Sequence, residues 1–340
     1  MSCRSIWVAL GLIVASSLTG CSKKSSTSGV PPEITGLAAV PASAEVVIVA
    51  DVARIRDAPL IDRAVDQLLV RDPVLATRWQ DLQAACKLDV KQFKHVVLAI
   101  GPHQGPQPGT GPVLMVATGQ LVETDFAACV RAMVGKGGGS LTAKPMSGNK
   151  TLYEAKDGNR VMYFAFGRAD TVVLGSNEAF VTDALGTGKK ALDNRDLATW
   201  IGLADQHMPL WAAGRVDPRV RDGLVKVMGG KISAGPQAII ASFDPTSGAK
   251  LELDAIMANG SDAKELESYG KTQLGLMGMA AQAKGLGTIV DRVSITADQN
   301  LVRFKAGLDP DDVNHLVSVL DGGGGSAQIS PPPGAGSSGP

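Results

Sequence analysis

"QAIIASFDPTSGAKLELDAIM", residues 237 to 257, is the stretch whose reading decides the fold. The five residues "DPTSG" (244–248) are turn formers that separate a pair of strand-forming runs. A connection this short joins antiparallel neighbours, because parallel strands need a long crossover. After Gly248, Leu251, Leu253, Ala255 and Met257 alternate with Lys250, Glu252 and Asp254. Period-two patterning of this kind sets one face of a sheet in a core and the other in water.

The same features recur outward along the chain. "KDGN" (156–159) and "DQN" (298–300) are further short turns, and Val302, Phe304 and Ala306 alternate with Arg303 and Lys305. Helical stretches are expected over 59–69, 74–86, 124–134, 177–185, 218–228, 262–283 and 310–320. Antiparallel sheets with helices on one face make an α+β protein. Each half of the chain reads strand, helix, hairpin, helix, strands, helix, which points to a weak internal duplication. The expected divisions are a first α+β half over 41–187, a helical connector over 188–207 and a second half over 208–321. In the connector, Asp193 or Asp196 can cap a helix whose Leu197, Trp200, Ile201 and Ala204 share a face. "SKKSSTSGVPPEITG" (22–36) has almost nothing to bury, so 21–40 reads as a flexible tether, and the Gly/Pro-rich 322–340 as a disordered tail.

Thirty-three basic and thirty-three acidic side chains cancel, and aromatics are 4% of the chain. No basic face or stacking platform is signalled, so nucleic acid is not an expected partner. No metal or cofactor is expected either: there is no C-x-x-C, and His95, His103, His207 and His315 sit in four separate elements. "ALGTGKKA" (184–191) has Asp183 where a phosphate loop needs glycine and Lys190 where it needs Ser or Thr, so it reads as a helix-ending loop. S-x-x-K occurs three times, at Ser147/Lys150, Ser247/Lys250 and Ser268/Lys271, without the partner elements that such chemistry needs. Around Ser233 the chain reads "GKISAG", lacking the first glycine of a nucleophile elbow. No catalytic residue is assigned, and the expectation is a protein that is not an enzyme.

Within "LGLMGMAAQAKGLG" (274–287), Leu274, Met277 and Ala281 form an apolar stripe that Leu276, Met279 and Ala280 widen. Flexible methionines among small residues can line an adaptable groove, so Leu274, Met277 and Met279 are ligand-groove candidates. The alternative is a core helix packed closely through its glycines.

The first 21 residues decide location. "MSCRSIWVALGLIVAS" has one charge, at Arg4, and then an apolar run of signal-peptide length. "LTGC", Leu18-Thr19-Gly20-Cys21, follows it and resembles the bacterial lipobox. That resemblance implies cleavage before Cys21, a diacylglycerol on its sulfur and further acylation of the new amino terminus. Two or three chains anchor firmly, at roughly 0.8 kcal/mol per buried methylene. Ser22 stands where an Asp would favour inner-membrane retention, so the resemblance favours the outer membrane. Export also leaves Cys86 and Cys129 as a pair in an oxidising compartment, where a disulfide is the first expectation and two separate buried thiols the second. The expected function is a lipid-anchored envelope protein, held to the membrane through Cys21, with a non-catalytic scaffold or interaction role toward a protein partner. The alternative is a binding module for an apolar or small ligand in a groove between the two halves.

Overall fold

The computed structural model describes residues 36–86, 92–103, 111–282 and 287–315, all within the compact unit Glu33–Pro340. The expected signal peptide, Cys21, the tail 322–340, residues 21–35 of the tether, residue 283 of the expected helix 262–283 and residues 316–320 of the expected helix 310–320 lie outside the described residues.

Twelve strands are described: β1 Val46–Asp51, β2 Phe93–Ile100, β3 Val113–Gly119, β4 Ser140–Met146, β5 Lys150–Asp157, β6 Arg160–Arg168, β7 Thr171–Gly175, β8 Leu210–Arg215, β9 Ala238–Asp244, β10 Ala249–Ile256, β11 Val293–Asp298 and β12 Leu301–Leu308. Helices fall between them: α1 Val52–Ile55, α2 Pro59–Arg71, α3 Pro73–Cys86, α4 Glu123–Lys136, α5 Glu178–Leu185, α6 Arg195–Leu203, α7 Pro218–Val227, α8 Gly260–Gln282 and α9 Gly287–Asp291. The strands form one sheet in the order β11-β12-β10-β9-β8-β1-β2-β3-β7-β6-β5-β4. Every pairing is antiparallel, so the class is α+β.

The β9–β10 hairpin shows how the turn sets the register. Asp244 Oδ1 accepts the Thr246 N–H at 2.9 Å, and Gly248 takes φ +95°, which an L side chain rarely adopts. Lys250 then falls opposite Asp244, and Ala255 opposite Ile239. The halves expected from the sequence are joined edge to edge: β1 pairs with β8 through Val46–Gly214 to Ala50–Leu210.

Helices cover both faces of the sheet, which corrects the expectation of one. On the first face, Val47, Val97, Leu114, Val116, Val173, Ala213 and Ile240 make the main core with Phe180 and Val181 of α5 and Leu197 and Ile201 of α6. Residues of the opposite parity form two smaller cores on the second face. Ala117, Phe164, Phe166 and Val172 lie with Ala127 of α4, and Ala255, Ile295 and Val302 lie with Ala263 and Leu266 of α8. A helix that links antiparallel strands is free to lie on either side, because the handedness rule constrains crossovers between parallel strands.

Two local expectations also change. Gly36–Ala39, within the expected tether, is a 3-10 turn, and Ala39 and Val40 are fully buried on the first face. "LAAV" is apolar enough to join the core, and Ala42 and Ala191 fasten it by backbone hydrogen bonds to Lys189 and Val40. In the connector, Asn194 caps α6 by accepting the Leu197 N–H, while Asp193 accepts the Lys190 N–H. Leu197, Ile201 and Ala204 are buried as the spacing predicts, and Trp200 packs against them half-buried.

Cys86, at the end of α3, and Cys129, within α4, stand at disulfide distance with Cα atoms 4.9 Å apart. Lys136 Nζ bridges the same two helices to Asp81 Oδ1 at 3.1 Å. A crosslink closing a loop of this size stabilises by about 2–4 kcal/mol. Thiol labelling of the denatured, unreduced protein should find neither cysteine free, and reduction should lower the melting temperature. Two labelled thiols would refute the bridge.

Candidate functional site

The middle of the second face is the surface that neither α4 nor α8 buries. One register row crosses it from Leu253 through Ala241, Ala212, Ile48, Leu98, Met115 and Leu174 to Phe164. Every residue in the row is apolar. Its two ends are held down: Phe164 meets Phe126 of α4 at 5.1 Å between ring centroids, and Leu253 pairs with Phe304, which packs in the α8 core. Between them, Ile48, Leu98, Ala212 and Ala241 are half-buried. Parallel rows carry Val46, Ile100 and Val113 on one side and Phe243 and Leu251 on the other. Val113 and Leu251 are 41% and 42% exposed.

The reason lies in the central strands. β1 "VVIVAD", β2 "FKHVVLAI" and β8 "LWAAGR" are apolar at consecutive positions, so they present apolar side chains on both faces. The first face is covered by α5, α6 and the 3-10 turns; the second is left as a strip across the β1–β8 junction. Such a surface offers dispersion and burial and no acid, base or nucleophile. Fully covering one Leu or Ile side chain contributes about 1.5–3 kcal/mol.

The residues singled out in the sequence fall elsewhere. Leu274 packs against the α8 core, but Met277 and Met279 are 63% and 65% exposed, and Leu276 is exposed beside them. Those two methionines therefore neither line a closed groove nor belong to a buried core helix. Lys271 engages Glu267 at 2.6 Å, not Ser268. Lys190 ends α5 by donating to the carbonyls of Asp183 (2.7 Å) and Ala184 (3.0 Å), and its burial lowers its pKa. "GTGKK" thus sits where a helix-ending loop belongs. His103 pairs with Asp217, the N-cap of α7, whose carboxyl the Arg219 N–H holds below the usual range. His95 Nδ1 lies 3.9 Å from Asp51, and the His207 N–H donates to Asp205. Among the described residues, no three His, Cys, Asp or Glu side chains gather as around a metal ion.

One polar cluster was not singled out in the sequence. Asp262, 5% exposed, accepts the Ser233 hydroxyl (2.6 Å), the N–H groups of Ser233 (2.8 Å) and Ala234 (3.3 Å), and the Asn259 amide (3.0 Å). The available signal is "NGSD" (259–262), in which Asn259 in turn accepts the Asp262 N–H and caps α8. Burial pushes the Asp262 carboxyl up, and the bonds from Ser233 and Ala234 outweigh it, so the pKa is lowered. The cluster ties the 233–234 loop to α8 and leaves the Ser233 hydroxyl donating to a poor base. A depressed carboxylate contributes stability above its unfolded-state pKa and loses it as pH falls through the folded-state value. Asp262→Ala should cost about 2–4 kcal/mol at pH 7 and much less in acid. Urea melts at both pH values check this; an equal loss at both would refute the ionised cluster.

Fold and surface together define a class: a single antiparallel α+β sheet with an apolar strip across its middle. No family model and no curated protein matches the chain. Among solved structures it is similar to crystal form I of TP0453, at 10% identity and a TM-score of 0.45, over 86% of this chain and 99% of that one. No helix among the described residues is long and apolar enough to cross a membrane.

Proposed function

We propose that this chain is a lipid-anchored envelope protein that acts by binding, with the apolar strip on the second face as its partner-binding surface. The observation that carries the reading is the apolar row Ala241–Ala212–Ile48–Leu98, only half-buried across the centre of an otherwise packed sheet. A charged substrate would find no partner there, whereas an apolar segment of another protein would bury it. Contiguous apolar surface left open to solvent marks interaction sites. The lipobox "LTGC" supports anchoring through Cys21, and Ser22 supports the outer membrane. The non-catalytic role rests on the chemistry of the strip.

The test is a photo-crosslinking side chain at Ala212 of the full chain in intact envelopes. A discrete protein adduct at Ala212, absent when the same group replaces the exposed Leu192, is expected. A lipid-sized adduct would favour an apolar ligand instead, and no specific adduct would overturn both. In the same cells Cys21→Ala should leave a longer precursor lacking the lipid mass; a processed, lipid-bearing mutant would refute the anchor.

A further inference from the structure

An open sheet has two edges, and this one treats them differently. At one edge, β4 carries Pro145, which has no N–H to offer a new strand, and Lys144, held by Glu154 and Glu178. Proline and lysine are the usual means of blunting an edge. At the other edge, β11 is "VSITAD", with neither, and among the described residues no strand lies on its outer side.

The β11–β12 hairpin fixes which groups face outward. It turns through Gln299 and Asn300 alone, with Gln299 at φ 51°, and a two-residue turn closes on a hydrogen-bonded pair, here Asp298 with Leu301. Alternation then directs the backbone groups of Asp298, Thr296 and Ser294 toward β12. Those of Ala297, Ile295 and Val293 face away from the sheet.

We propose that β11 is a self-complementary edge through which two copies of this chain pair antiparallel about a two-fold axis at Ile295. In that register Ile295 faces itself and Val293 faces Ala297 of the other copy, so all three outward residues exchange their hydrogen bonds. Ser294 faces Thr296, which matches their exposure on the first face. One residue beyond the strand, Arg292 of each copy falls opposite Asp298 of the other, so opposite charges close both ends. Arg292 meets its own Asp309 (2.9 Å) and Asp312 (2.7 Å) through Nη1, and its Nε and Nη2 carry further donors. The contact is isologous and closes as a dimer, so it does not propagate into a fibre.

Ser294 and Thr296 form a non-hydrogen-bonded pair in this register, with Cα atoms about 4.5 Å apart, which suits a disulfide. The full chain is therefore produced in two tagged forms, Ser294→Cys and Thr296→Cys, together in one cell and under an added oxidant. The unsubstituted chain serves as control for crosslinks through Cys3 or Cys21. Co-production should give about ten times more crosslinked dimer than either variant alone. Asp298→Arg should reduce it about tenfold, and adding Arg292→Asp should restore it. No crosslink, equal crosslinking by either variant alone, or an adduct to a different protein would overturn the proposal. Thermal melts of each variant exclude misfolding, since both positions are exposed.

Discussion

Arg303→Ala is expected to lower the stability of the folded chain by about 3 kcal/mol, a large effect for a residue on a wet sheet face. Arg303 lies on β12 opposite Asp254 of β10, and the two meet in a bidentate pair: Nε to Oδ1 at 2.8 Å and Nη2 to Oδ2 at 2.7 Å. Asp254 is 2% exposed, because the guanidinium and its neighbours cover it. Glu252 extends the group, accepting from Arg303 at 2.8 Å and from Lys305 at 3.0 Å. Removing Arg303 strands one nearly buried carboxylate and loosens another. Removing both members, as Asp254→Leu with Arg303→Leu, should cost far less, since no unpaired charge remains. Urea denaturation separates the cases: the single variant should shift the midpoint well below that of the double. A cost under about 1 kcal/mol for Arg303→Ala would class the pair with ordinary surface bridges. A similar group closes the other end of this face, where Glu154 accepts from Lys144 at 2.7 Å and Lys156 at 2.6 Å, bonds that hold its carboxyl below the usual range.

Much of this was legible in the residues. The alternation of Lys250, Glu252 and Asp254, and of Arg303 and Lys305, announces a solvated face, and the register turns that pattern into ion pairs. The turn at 244–248 and the bounds of the described helices follow from local rules, because turn chemistry and periodicity act over a few residues, while the pairing of Cys86 with Cys129 was expected from the compartment that the lipobox resemblance implies. What could not be read is set by contacts far apart in sequence. Which side of the sheet α4 and α8 take depends on tertiary packing, and so does the joining of β1 to β8 into one sheet. Met277 and Met279 show the same limit: a stripe at helical spacing says that a helix has an apolar side, not that anything covers it. The apolar strip was half-legible. "VVIVA" and "HVVLAI" lack alternation and so advertise two apolar faces, but only the packed structure shows which face is left half-buried.

The parity of β8 gives the most direct test of that surface. Ala212 and Ala213 are adjacent, yet Ala213 is fully buried in the main core while Ala212 is only half-buried in the middle of the second face. An aspartate at 213 would bury an unpaired charge among Val47, Ile240 and Leu197, a cost of more than about 5 kcal/mol that should prevent folding. An aspartate at 212 can keep its carboxylate in water, so its cost should stay within about 1 kcal/mol. The deciding measurement is the melting temperature of Ala212→Asp beside Ala213→Asp, each in the full chain. A near-native transition for Ala212→Asp, with no cooperative transition for Ala213→Asp, is the result expected of an open apolar surface. Collapse of both variants would show that the strip is a covered core, and the proposed binding surface would fall with it.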